Sequence, residues 1–175
     1  LQDKLPEFEK SEAVLILKKG LGENVYNNIS EFSEPIAAAS IAQVHFAKIK
    51  INGDIKEVAI KILRPSIEKI FNEEIDALML LASLTEKIVS KSRRLKLIEV
   101  VHLLREITNL EMDLRFEAAA ANELYENTKD DIGFNVPKIY WNFTTKNILT
   151  LDKIDGISIR ETEQLKKNRI DVTKL

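Results

Sequence analysis

Apolar positions along the chain change their period several times, and each change marks an element. Residues 9–19 put Val14, Leu15 and Leu17 on one face at helical spacing, and Gly20 and Gly22 give a stop. Residues 32–36 read as a short connector ending at Pro35. Residues 36–44 are rich in alanine, which by propensity alone makes a helix. The neighbouring residues argue against that helix. Residues 43–51 alternate and carry Val44, Phe46, Ile49 and Ile51, then Asn52-Gly53, then Ile55, Val58, Ile60 and Ile62. An Asn-Gly step between two such runs is a strong hairpin signal. In the second strand Val58, Ile60 and Ile62 share one face and Ala59 and Lys61 the other, so the lysine emerges beside a small alanine that leaves room for a ligand.

Arg64-Pro65-Ser66 breaks the strand. Residues 66–90 then form a long amphipathic helix through Ile67, Ile70, Phe71, Ile75, Leu78, Leu81 and Ala82, and Ser66 lacks the reciprocal acid of a capping box. A polar turn at 91–94 leads to a second long helix, or a bent pair, over 96–127, ended by Asp130, Asp131 and Gly133. Residues 139–143 and 148–151 read as strands around a turn at 144–147, and residues 160–167 as the start of a short helix. Helix, hairpin, two long helices, then a second hairpin is an α+β layout with a small antiparallel sheet.

Composition narrows the chemistry. With 175 residues and 45% hydrophobic content the chain is one domain or one lobe, and it is not disordered. A net charge of -2 argues against nucleic-acid binding driven by bulk positive charge. The absence of cysteine excludes disulfides, thiolate metal sites and cysteine nucleophiles. Two histidines, His45 and His102, make a multi-histidine metal site improbable. No run approaches the roughly 18 apolar residues that span a bilayer. Both ends read as cut from a longer cytosolic chain.

Three segments carry candidate chemistry, and each has a plainer reading. Lys61 suits a phosphate-pairing ammonium held by a helical carboxylate, though a strand-end lysine is commonly just solvated. Asp113 and Glu117 lie about 40° apart on a helical wheel, with Glu111 about 120° from Glu117. These acids read either as a solvated face or, beside Leu110, Leu114 and alanines 118 to 121, as partners for a cation. Ala37-x-Ala39-x-x-Ala42-x-Val44 matches the kinase phosphate loop Gly-x-Gly-x-x-Gly-x-Val with alanine for each glycine, although an alanine run is more often plain helix. Taken together, loop, strand, hairpin, lysine and acidic helix keep the order of a kinase amino-terminal lobe.

These segments resemble the UbiB/AarF atypical kinase-like family. The resemblance rests on residues 35–45 (PIAAASIAQVH), 58–65 (VAIKILRP), Glu111-x-Asp113, Val136-Pro137-x-Ile139-Tyr140-Trp141 and residues 149–156, with Leu1-Gln2-Asp3 similar to the segment after the family's Lys-x-Gly-Gln motif. It implies a protein-kinase-like N-lobe over 1–158, family-specific long helices, and the start of a C-lobe or a tail over 159–175. Lys61 would pair with ATP phosphates and with Glu117. Ile36, Ala37, Ala39, Ser40 and Ala42 would form the phosphate loop, Val44 and Ala59 would cover the adenine, and Asp152 and Ile154 would meet its edge through the backbone. Glu111 and Asp113 would face the Lys-x-Gly-Gln segment as a regulatory motif. The catalytic loop and the metal-binding Asp-Phe-Gly do not occur in these residues. Mg²⁺ ligands are therefore expected elsewhere in the parent, and this chain alone is expected to be inactive. The resemblance further implies ATP-dependent kinase or ATPase chemistry in ubiquinone biosynthesis, with partner proteins or lipid engaged through the full-length protein, peripheral to the inner membrane. Self-association through the exposed lobe surface is expected of the isolated chain. A non-catalytic interaction module is the competing reading. A flavin- or iron-dependent hydroxylase is disfavoured by the lack of a Gly-x-Gly-x-x-Gly motif or an iron-ligand set.

Overall fold

The structure, a computed structural model, describes residues 6–159, 161–168 and 170. The similarity of Leu1-Gln2-Asp3 therefore lies outside the described residues. Helix α1 (Lys10–Leu21) buries Ala13 and Leu17 and ends at Gly22, whose φ of 79° suits glycine. Gly20 is not a stop, as the pattern suggested. It stays helical, and a Cβ there would sit 2.7 Å from Ile148 Cδ1, so its bare backbone lets the helix lie close against the sheet. A short α2 (Glu23–Tyr26) comes next.

The sheet is antiparallel. Strands β1 (Ile29–Ser30) and β2 (Pro35–Ala38) both pair with one edge of β3 (Ala42–Ile51). The alanine run is thus strand and turn rather than helix. The other edge of β3 pairs with β4 (Asp54–Leu63), which pairs in turn with β5 (Ile148–Asp152). Asn52 and Gly53 both have positive φ, as a two-residue hairpin turn requires. Register then fixes the faces. Val58, Ile60 and Ile62 are fully buried against α1, with Ala47, Ile49, Phe143 and Ile148. The opposite face packs Ala42, Leu63 and Leu149 against Leu114 and Ala118 of α5 (Leu114–Thr128).

Between β4 and α5 stands a helical hairpin, α3 (Ile67–Ile88) and α4 (Leu97–Glu111), joined through a 3₁₀ segment, Ser90–Leu95. Its own core is small: Ile75, Ala82 and Val101, with Met79, Leu97 and Ile98 packed alongside. The second long helix is a pair rather than one rod. Met112 and Asp113 interrupt it, and Asp113, at φ -126° and ψ 95°, caps α5. Glu111, Asp113 and Glu117 therefore do not share one helical wheel, which corrects the angular reading of those acids. The expected strand at 139–143 is also corrected. Only Ile139 bridges, to Leu151, and Trp141–Phe143 turns as a 3₁₀ helix. Chain order ends with α6 (Thr162–Lys167).

Candidate functional site

Cross-strand register builds one half-open face. Ala37, Val44, Lys61 and Leu149 stand in one rank across β2, β3, β4 and β5, and Phe46, Ala59 and Leu151 in the next. Directly opposed residues of antiparallel strands share a face. Val44, Ala59, Phe46 and Leu151 are half-buried, so the sheet offers an apolar surface on the side from which Lys61 projects.

Lys61 Nζ donates to Glu117 Oε2 at 2.7 Å across 56 residues of sequence. The lysine side chain is 26% exposed and the glutamate 50%, so the pair is reachable from solvent and not sealed in the core. Small residues make the approach possible. Ala118 is fully buried where α5 meets the sheet, and Ala121 is packed beside it. An alanine at these positions seats the helix close enough for a glutamate one residue before Ala118 to reach the strand.

The alanine loop is a tight hairpin. Ala39 N–H donates to the Ala42 carbonyl at 2.8 Å, leaving Ser40 and Ile41 at the tip. Among the described residues no position from 36 to 42 has a positive φ, so alanine carries no backbone penalty here. Ile36, Ala37, Ala39 and Ser40 are exposed, whereas Ala42 is buried in the core beneath α5. Asp152 donates its backbone N–H to Lys138, and its carboxylate accepts from Tyr140 Oη at 2.5 Å. Burial, with the Asp152 carboxylate beside it, pushes the Tyr140 hydroxyl well above the usual tyrosine range. Ile154 lies just past the strand and is exposed.

Asp113 and Glu111 part company. Asp113 is buried and accepts from Arg115 three times: backbone N–H at 3.1 Å, Nε at 2.9 Å and Nη2 at 2.6 Å. The Arg115 guanidinium holds its carboxyl below the usual carboxylate range. Glu111 is exposed at the end of α4. Asp113 thus positions the start of the helix that carries Glu117. Among the described residues, no group of three His, Asp or Glu gathers that could hold a metal ion.

Two features escaped the sequence reading. Gln43 and His45, both fully buried, stand at core-facing positions of β3 and bond to each other at 3.0 Å. Arg64, noted only as part of a strand break and of a family string, donates to the Ala39 carbonyl at 3.0 Å and to the Pro6 carbonyl at 2.9 Å. Polar residues at inward strand positions were a visible signal for the first. Arg64 had none, since its partners lie 25 and 58 residues away.

Comparison with known proteins decides the family. A model described as the ABC1 atypical kinase-like domain matches residues 1–175. The chain belongs to this family. A protein named probable protein kinase UbiB from Marinobacter nauticus is 38% identical over 176 residues, covering 100% of this chain and 32% of that protein. Proteins of the same name from Pseudomonas aeruginosa PAO1 and Cellvibrio japonicus are 36% and 35% identical, again over the whole chain. The chain spans about a third of the length of these curated relatives. The mixed fold with its small antiparallel sheet is that of a kinase-like N-lobe. No helix among the described residues is long and apolar enough to cross a membrane.

Proposed function

We propose that this chain is the ATP-binding lobe of an atypical kinase or ATPase that supports ubiquinone biosynthesis. The observation that carries the reading is the 2.7 Å contact between Lys61 and Glu117 beside the half-open rank of Val44, Ala59 and Leu151. An apolar, partly exposed strand face suits a purine ring, and a clamped ammonium suits its phosphates. ATP would supply the transferable phosphoryl group. Within this chain Lys61 would neutralise phosphate charge, Glu117 would hold Lys61 in place, and Ser40 with its neighbouring peptides would border the phosphates. The backbone of Asp152 and Ile154 would meet the adenine edge. Mg²⁺ would be held by residues elsewhere in the parent, so the chain alone would bind nucleotide without transferring phosphate. Ubiquinone-biosynthesis proteins or lipid would be engaged by the full-length protein, peripheral to the inner membrane.

The test is Mg²⁺–ATP and Mg²⁺–ADP titration of the full-length parent. Lys61→Ala should weaken binding by about tenfold or more, as loss of a charge-assisted contact does. Glu117→Gln should weaken it less. Lys48→Ala, which removes a lysine paired with Glu31 at 2.7 Å, should change nothing. Equal affinity in wild type and Lys61→Ala would sink the reading in favour of a non-catalytic interaction module.

A further inference from the structure

The alanine loop closes on its own Ala39–Ala42 bond, and it is held from outside as well, by Arg64. Its backbone N–H donates to the Ile41 carbonyl at 2.8 Å and its Nε to the Ala39 carbonyl at 3.0 Å, so one residue holds two carbonyls of the four-residue turn. Strand alternation puts the Arg64 side chain on the α1 face of the sheet, opposite Lys61, where its guanidinium lies 6.0 Å from the Phe8 ring centroid. In a trans peptide the C=O and the following N–H point in opposite directions, and none of the described peptides is cis. With the Ala39 carbonyl held by Arg64, the direction of the Ser40 N–H in the same planar peptide is fixed with it.

The same arginine reaches the start of the chain. Its Nη1 donates to the Pro6 carbonyl at 2.9 Å. Gln43, adjacent to the loop at the start of β3, grips the next residues with its amide. Phe8 N–H donates to Gln43 Oε1 at 3.1 Å, and Gln43 Nε2 donates back to the Phe8 carbonyl at 3.2 Å. Gln43 is fully buried, and its backbone pairs with Ala38 of β2. Residues 6–8 are therefore fastened to two residues that also bond the loop or its base, Arg64 and Gln43.

We propose that Arg64 is a positioning residue for the nucleotide loop, and that with Gln43 it makes the loop's geometry depend on docking of the amino-terminal segment at Pro6 and Phe8. The proposal rests on the nucleotide reading above. A segment leading into position 6 that pulls residues 6–8 away would release the Ala39 carbonyl and let the Ser40 peptide turn. Conversely, a nucleotide that needs the Ser40 N–H would favour the docked segment, because coupling between two sites is reciprocal.

The experiment uses the full-length parent with Arg64→Gln, Arg64→Lys and Phe8→Ala, and Lys61→Ala for comparison. Mg²⁺–ATP and Mg²⁺–ADP affinities are measured beside amide exchange over residues 6–9 and 38–42. Arg64→Gln should weaken ATP binding by about tenfold, and it should speed exchange in both segments together while leaving the melting temperature of the rest within a few degrees. Phe8→Ala, far from the nucleotide face, should speed exchange in the loop as well. Arg64→Lys keeps the charge but has no fork to reach both carbonyls, so it should restore neither the affinity nor the slow exchange. If Lys61→Ala weakens binding but Arg64→Gln and Phe8→Ala bind as wild type, the positioning role is overturned and the nucleotide reading stands. Should Lys61→Ala bind as wild type, the nucleotide reading fails. Exchange then decides the latch alone, which is overturned if the two segments respond independently. If Arg64→Gln does not fold, Phe8→Ala carries both measurements.

Discussion

His45 shows how one buried side chain records its surroundings. Its Nδ1 lies 3.0 Å from the Ser33 carbonyl and must donate there. Its Nε2 faces Gln43 Nε2 at 3.0 Å, and that amide is oriented by its two bonds to Phe8, so His45 Nε2 accepts. The ring, stacked on Phe32 at 4.4 Å, is thus neutral with its proton on Nδ1. A second proton would set two donors face to face. Burial lowers the His45 pKa below its ordinary 6.5, against the upward pull of Ser33 and Glu34, while Lys10 adds to the lowering and Glu7 opposes it. As pH falls below 6.5 the unfolded chain takes a proton that the folded ring resists, so stability drops until the folded ring protonates too. The urea midpoint should fall between pH 7.5 and 5.5 in the wild type and much less in His45→Gln. Parallel slopes for the two chains would remove His45 as the cause. Lys61 was legible from alternation alone, because period two separates it from three isoleucine and valine neighbours. Gln43 and His45 obey that same period, but their partners Phe8 and Ser33 are set by the path of the amino-terminal segment, which no local rule supplies.

At the junction of α4 and α5, Asp113 replaces a missing turn of helix. Its carboxylate accepts the Arg115 backbone N–H and two guanidinium donors, and Glu117 comes one turn later. Removing an N-cap acceptor costs about 1 kcal/mol, up to about 2. Asp113→Ala should therefore lower unfolding free energy by about that much in urea titrations, and it should loosen the Lys61–Glu117 contact by fraying the turn that carries Glu117. Asp113→Asn keeps an acceptor and should fall between. Because Arg115 holds the Asp113 carboxyl below its ordinary 3.8, this contribution persists through mild acid and is lost only below that value, a window distinct from that of His45. If Asp113→Ala unfolds at the wild-type midpoint, the cap contributes nothing. The hairpin, the break at Arg64-Pro65 and the two long helices were readable because short-range rules govern them. A bent pair over 96–127 was one of two readings, but its break at Met112 could not be placed, since Leu110 and Leu114 keep the helical period across it. The strand expected at 139–143 failed for a related reason. Its aromatic composition suits a strand, but pairing stops at Ile139, and Tyr140 instead turns the chain with its hydroxyl on Asp152.

The α3–α4 hairpin carries many of the exposed apolar side chains of the described residues. Each helix has two apolar faces, and only one is covered. On α4, Val101 is buried while Val100, Leu103, Leu104, Ile107 and Leu110, at helical spacing, are exposed. On α3, Ile75 and Ala82 are buried while Leu81 is 59% exposed and Ile88 79%. The periodicity of these helices was plain in the sequence. It could not tell a face packed on this sheet from one left open, since both have the same pattern. Soluble monomers rarely leave a continuous apolar patch of more than a few hundred Å² uncovered. Two amphipathic helices with exposed apolar residues can bury them against the same hairpin of a second copy, making four packed helices. The isolated chain should therefore self-associate as its concentration rises. Replacing Leu81, Ile88 and Ile107 with serine should shift it to monomer without moving its unfolding free energy by more than about 1 kcal/mol, because none of the three is in the core. Sedimentation velocity over a wide concentration range separates the outcomes. A wild-type chain that stays monomeric at the highest loading shows that the open side needs no cover. Association that survives the triple substitution places the contact on another face of the lobe.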